Sequence, residues 1–219
     1  MLNKQKGNMY GFVTHTWNAI KGKCPHDCSY CYMKVFPQGK LHFDEKELKT
    51  NLGEGNFIFV GSSCDMFAQK IDPFWISKVL EHCRKYPKNK YLFQTKNPIR
   101  LYHWIDDFPK DSMLGTTIET NRDYPIYDKS VSPVRERAKA MSMIFGKLMV
   151  TIEPIMDFDL KELVFLIQAI EPNFVNLGAD SKGHNLPEPS WDKVQELIKE
   201  LEKFTKVNLK SNLNRLKIK

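Results

Sequence analysis

Three cysteines stand within eight residues of one another, in the run Cys24-Pro25-His26-Asp27-Cys28-Ser29-Tyr30-Cys31. The spacing is C-x3-C-x2-C, with a tyrosine just before the last cysteine. Three thiolates this close can hold three irons of a cubic 4Fe–4S cluster and leave the fourth iron without a protein ligand. An iron with an open position can bind a further molecule and do chemistry on it. Zinc is the other reading of the same residues, since His26 or His15 would complete a set of three thiolates and one imidazole. A chance grouping of unligated thiols is set aside by the density of cysteines. The two remaining cysteines, Cys64 and Cys83, lie apart from the loop, so no disulfide framework is expected. Cys64 points either to the strand-end site or away from it, and is treated as structural. Cys83 reads as a core thiol, because it follows Val79 and Leu80 on an apolar stripe.

Such a loop needs a rigid frame, and the rest of the chain supplies one. Short β-rich runs occur at Tyr10–Thr14, Phe57–Gly61, Tyr91–Gln94, Met113–Ile118, Leu148–Ile152 and Phe174–Leu177. Helical patterns alternate with them at Asp44–Leu52, Pro73–Tyr86, Pro98–Ile105, Pro133–Phe145, Leu160–Ile170 and Trp191–Phe204. Asp72-Pro73, Asn97-Pro98 and Ser132-Pro133 each offer a capping side chain before a proline at the first helical position. Asp44 and Glu47 have capping-box spacing. Val134, Ala138, Met141 and Phe145 recur at helical spacing and predict one buried stripe. Six β-then-α units imply a parallel sheet with right-handed crossovers, either a partial TIM barrel or an open doubly wound sheet. In both, function belongs at the carboxyl ends of the strands.

Those ends are uniformly polar. The first strand leads to the cysteine loop, and the second to Gly61-Ser62-Ser63-Cys64-Asp65. Gln94-Thr95-Lys96 follows the third and Glu119-Thr120-Asn121 the fourth. Glu153-Pro154 closes the fifth, and Gly178-Ala179-Asp180-Ser181 the sixth.

With Thr16-Trp17-Asn18 before it and Tyr32 after it, the cysteine loop resembles that of the radical S-adenosylmethionine (SAM) superfamily. The resemblance implies a partial (β/α)6 barrel across nearly all of residues 1–219 as one radical SAM domain. It implies a 4Fe–4S cluster on Cys24, Cys28 and Cys31, with SAM chelated at the open iron. Superfamily members often carry a Gly-Gly-Glu segment after the second strand, for the SAM amino group. This chain departs from it, with one glycine and an aspartate, so Ser62, Ser63 and Asp65 are the candidates there. Lys96 is the candidate for the SAM carboxylate, or else a plain lysine before a helix. Glu119 and Asn121 resemble the ribose-binding group, and Tyr30 is expected beside the adenine. Glu153 and Asp180 belong either to the substrate side of the rim or to structural ion pairs. Thr-Trp-Asn-x-Ile and Tyr-Cys-Tyr resemble a small branch of the superfamily found in phages and prokaryotes.

The implied reaction is reductive cleavage of SAM to a 5′-deoxyadenosyl radical that takes hydrogen from a substrate. It requires a one-electron donor of the flavodoxin or ferredoxin type. No second cysteine cluster is available for an auxiliary-cluster extension. The net charge of +7 and the pI of about 9.0 suit a polyanionic partner or simply a solvated basic surface. Together with a barrel similar to that of a DNA-repair lyase of the superfamily, they point first to nucleic acid or a nucleotide as substrate. The alternatives are a non-catalytic zinc or iron–sulfur module, a subunit that turns over only with a partner protein, and a radical enzyme acting on a peptide or small molecule. No apolar run reaches the roughly 18 residues of a membrane span, and the first residues lack a signal peptide's apolar stretch. A cytoplasmic, reducing setting is expected. Residues 205–219 alternate basic and apolar side chains, as a final strand or a basic arm would.

Overall fold

The structure, a computed structural model, describes residues 1–5 and 9–218; Lys219 of the basic tail lies outside them. An eight-stranded sheet organises the chain. Its strands are β1 (Asn3–Lys4), β2 (His15–Trp17), β5 (Phe57–Val60), β6 (Lys90–Thr95), β7 (Ser112–Thr117), β8 (Lys147–Ile152), β9 (Phe174–Leu177) and β10 (Lys206–Leu209), in that spatial order. From β2 to β10 every neighbouring pair is parallel, and only β1 runs antiparallel, at the β2 edge. A separate antiparallel pair, β3 (Ile20–Lys21) and β4 (His42–Phe43), lies between β2 and β5 in the chain. Among the described residues five α-helices cover the sheet: α1 (Pro73–Arg84), α2 (Ile99–Tyr102), α3 (Val134–Ser142), α4 (Leu160–Gln168) and α5 (Trp191–Leu201). This is an α/β fold of the partial TIM-barrel kind. Among the described residues no helix is long and apolar enough to cross a membrane.

The barrel has seven parallel strands rather than six, because the tail supplies β10 against β9. A 3-10 helix, Ser211–Ile218, follows it. The first strand also lies further along than Tyr10–Thr14. Val13 N–H closes a turn on the Tyr10 carbonyl, which frees the Tyr10 ring to pack with Val13, Leu92 and Met149. Leu92 and Met149 point opposite to Tyr91, Phe93, Leu148 and Val150, which join the larger core under the helices. The alternation along β6 and β8 therefore splits the apolar residues in two. One set glues helices to sheet, and the other plugs the inside of the barrel.

Helix starts follow chemistry only where the side chain is free to cap. Asp72 accepts from Phe74 N–H and Ser190 from Lys193 N–H. Asn97 and Ser132 do not cap. Asn97 is buried and donates its amide to the Phe67 carbonyl, while the Ser132 hydroxyl lies 3.4 Å from Asn97 Oδ1. Asp44 caps a 3-10 turn, Glu45–Lys49, but Glu47 completes no capping box. It turns inward to accept from Trp17 Nε1 at 3.1 Å and Lys21 Nζ at 2.8 Å. The stripe on α3 buries Val134, Ala138 and Met141, but Phe145 is 90% exposed. The helix ends at Ser142, so the 3.6-residue period no longer carries Phe145 to the core.

Candidate cluster and cofactor site

Between β2 and β5 the chain makes an excursion that β3 and β4 staple at its base. Gly22 begins the loop with φ +95, and a Cβ there would run into the backbone carbonyl of Lys40. Only glycine lets the two sides approach this closely. Cys24, Cys28 and Cys31 lie within this loop and line a cavity of about 520 Å³ at the carboxyl ends of the parallel strands.

Asp65, after β5, locks the loop to the barrel. It shares a 2.7 Å hydrogen bond with His26 Nε2 and accepts from the Thr95 hydroxyl, Lys96 N–H and Phe67 N–H. Burial works against its charge, but His26 and the two backbone donors hold its carboxyl below the usual range. Ser62 and Ser63 are tied down from β2. Ser62 Oγ lies 3.3 Å from the Asn18 side chain, and Asn18 Oδ1 accepts from Ser63 N–H at 3.0 Å.

Lys96, whose N–H meets Asp65, leads into a buried charge network on the same side. Glu119 and Arg137 both have fully buried side chains, 2.9 Å apart. Arg137 also donates to the Thr117 carbonyl and to the Tyr127 hydroxyl. Lys96 Nζ stands 3.4 Å from Glu119 and 5.5 Å from the centre of the Tyr30 ring. The Tyr30 hydroxyl donates to Glu119. Burial alone would raise the Glu119 carboxyl, yet Arg137 and Lys96 hold it down at about 2. Burial alone would likewise lower Lys96, but Glu119 and Cys28 keep it above its ordinary value.

Of the residues singled out in the sequence, Cys24, Cys28, Cys31, Tyr30, Ser62, Ser63, Asp65 and Lys96 come together around the cavity. Glu119 stands behind it and acts through Tyr30 and Lys96. Asn121 is elsewhere. Its amide donates to Asp159 and accepts from Asp159 N–H at 2.7 Å. Glu153 and Asp180 line the far wall, where Glu153 pairs with Lys210 at 2.7 Å and Asn212 at 2.9 Å. Asp180 holds His184 Nδ1 at 2.6 Å. Sequence reasoning missed His184, Lys210, Arg137 and Tyr127. For Lys210 the signal was its place just past a strand, once the tail is read as β10.

Cys64 is no plain structural thiol. It lines the same cavity as Cys24, and the interaction between the two thiols brings Cys24 down to about 6 and drives Cys64 up. Burial raises Cys28 to about 11, against the pull of Lys96, and also raises Cys31. Cys83 is buried away from the cavity, as a core thiol.

The donor set fits a 4Fe–4S cluster. Three thiols of one loop face one cavity. Asp65 takes one imidazole nitrogen of His26, and the other, Nδ1, is buried with no hydrogen-bond partner among the described residues.

Residues 9–197 match the family described as protein of unknown function, DUF5131. The chain belongs to that family. No curated protein matches it in sequence. Among solved structures it is similar to spore photoproduct lyase. A tyrosine-to-phenylalanine mutant of that protein superposes with a TM-score of 0.64 at 13% identity, covering 93% of this chain and 78% of that one. A cysteine-to-serine mutant gives 0.63 at 12%, covering 94% and 79%. A double mutant with bound AdoMet and dinucleoside spore photoproduct gives 0.53 at 12%, covering 91% and 64%. At these identities the likeness is one of fold.

Proposed function

We propose that this chain is a radical SAM enzyme. The observation that carries the reading is that three thiols of one loop face a strand-end cavity whose wall also carries Tyr30, Ser62, Ser63, Asp65 and Lys96. Cys24, Cys28 and Cys31 would hold a 4Fe–4S cluster. When bound, cluster and SAM together supply one-electron cleavage to a 5′-deoxyadenosyl radical. Lys96 offers a charge for the SAM carboxylate, and Ser62 and Ser63 offer hydroxyls for its amino group. Asp65 has its oxygens committed to His26, Thr95 and backbone N–H groups, so its part is to hold the loop. Glu119 positions Tyr30 and Lys96. The ribose would be met by groups other than Asn121, whose amide is engaged with Asp159.

The fold likeness to a lyase bound to AdoMet and a dinucleoside, with the +7 charge, supports nucleic acid or a nucleotide as substrate. A one-electron donor protein and a reducing, cytoplasmic setting go with this chemistry. Anaerobic reconstitution with metal analysis tests the reading. About four irons and four sulfides per chain are expected, while one zinc per chain and no sulfide contradicts it.

A second reading rests on Cys64 lying against Cys24. Four thiols would close the site as a four-cysteine zinc centre or a fully ligated cluster. Cys64→Ala separates the two. Under the radical SAM reading the variant keeps its iron and its SAM-dependent change in the reduced cluster's EPR spectrum. Under the closed reading the metal is lost.

A further inference from the structure

Asp180 and His184 form a built pair on the far wall that the cluster and its cofactor leave unused. Asp180 is 5% exposed. Its carboxylate accepts from His184 Nδ1 at 2.6 Å, from His184 N–H at 2.5 Å and from Lys182 N–H at 3.1 Å. Burial works against its charge, but His184 and these backbone donors hold the carboxyl below the usual range. An ionised carboxylate only accepts, so Nδ1 carries the ring proton.

The loop is shaped to present that ring. Gly183 and Asn185, on either side of His184, have φ of +70° and +53°, a conformation open to glycine and tolerated by asparagine. Arg215 fastens both ends, donating to the Asp180 carbonyl at 2.7 Å and to Glu188 at 2.8 Å. His184 nevertheless keeps part of its side chain exposed and lines the cavity. No hydrogen bond among the described residues engages its other nitrogen, Nε2. A carboxylate behind one ring nitrogen fixes the tautomer and the direction of the other. With Nδ1 pinned, the neutral ring offers Nε2 as an acceptor, and its complement is an O–H or N–H. Phosphate oxygens are acceptors themselves and do not complement it.

We propose that His184 Nε2 accepts a hydrogen bond from a hydroxyl or ring N–H of the substrate, with Asp180 as the positioning residue behind it. The inference rests on, and deepens, the reading of the substrate as a nucleic acid or nucleotide, which offers such donors at a ribose hydroxyl and at a base edge.

The test measures binding of fluorescein-labelled oligonucleotides to the reconstituted protein with SAM, by fluorescence anisotropy. The probes are octauridylate, its 2′-deoxy counterpart and its N3-methyl counterpart, the last two each lacking one donor. His184→Phe should weaken octauridylate about five- to tenfold, the size of one lost hydrogen bond. The probe that lacks the contacting donor should bind the wild type that weakly already, and lose nothing further in His184→Phe. Asp180→Asn, which frees the ring to carry its proton on Nε2, should give the same probe pattern. Both variants should keep the wild-type SAM-dependent change in the reduced cluster's EPR spectrum. In the wild type itself, diethyl pyrocarbonate should modify His184 at neutral pH and octauridylate should block it, read by peptide mass spectrometry. Unchanged binding in His184→Phe, or modification that octauridylate does not block, overturns the assignment. Equal losses on all three probes put His184 against the phosphate backbone or make it structural, and overturn it too. A wild type that responds to SAM but binds none of the probes overturns the nucleic-acid reading, and the subsite with it. A wild type that takes up no iron yet shows the probe pattern overturns the radical SAM reading alone.

Discussion

The two walls of the cavity are made of charges, but of charges in different settings. On the near wall Asp65 takes four hydrogen bonds, and Glu119 and Arg137 are both sealed from water. Their partners come from β6, β7 and α3, from the segments just after β5 and β6, and from the cysteine loop and the loop before α3. On the far wall Glu153 keeps 18% of its side chain exposed and His184 keeps 24%. The partners there come from the loop after β9 and from the segment after β10. Asn212 alone bridges Glu153, the Ala179 carbonyl and Ser181. A wall with saturated, buried charges is fixed before any ligand arrives. One built from surface segments can change in sequence without unfolding the sheet. The near wall suits a cofactor that never varies, and the far wall suits a substrate that sets specificity.

The sharpest way to break this contrast is to neutralise one acid on each wall. Glu119→Gln leaves Arg137 buried without its counter-charge and should cost about 3–5 kcal/mol in urea unfolding. Glu153→Gln breaks a partly exposed pair and should cost about 1 kcal/mol or less. Equal losses would erase the distinction.

Next in size is Asp65→Asn, which weakens the hold on His26 and so on the loop. Groups behind metal ligands typically tune affinity by about 10- to 100-fold. Iron retention against a chelator should fall by that order while the far-UV spectrum is kept.

Acid should find the near wall as well. The Glu119 carboxyl sits at about 2 in the folded chain against an ordinary 4.5. A depressed carboxyl stabilises the fold fully above its unfolded value and loses that contribution as pH falls toward the folded one. The stability gap between wild type and Glu119→Gln should therefore narrow from about pH 4.5 down to about 2.

The smallest effect belongs to the far wall. A Cβ at Gly178 would lie 2.8 Å from the Glu153 carboxyl group. Gly178→Ala should displace that flexible side chain at a stability cost of about 1 kcal/mol or less, read by thermal melting. A loss several times larger would make the far wall as rigid as the near one.

The near wall was mostly legible in the sequence, because strand ends and cysteine spacing are local signals. Tyr30, Ser62, Ser63, Asp65 and Lys96 each follow directly from a motif or a strand. What was hidden depends on pairing across the fold. Asn121 has the position of a ligand residue, but Asp159, far along the chain, claims its amide. Arg137 looks like a solvated helix charge until Glu119 is seen beneath it. Tyr10–Thr14 has β-forming residues, yet the Tyr10 ring is worth more inside the barrel than on an edge. The tail left two options open, and only its pairing with β9 made it a strand and brought Lys210 to the cavity.

The central claim is that Cys24, Cys28 and Cys31 serve SAM cleavage. The direct measurement is 5′-deoxyadenosine, quantified by mass spectrometry after anaerobic incubation of the reconstituted protein with dithionite and SAM. The account predicts that product from the wild type, with none above background from Cys24→Ala, Cys28→Ala or Cys31→Ala. A wild type with its iron and sulfide in place that yields no 5′-deoxyadenosine would contradict it.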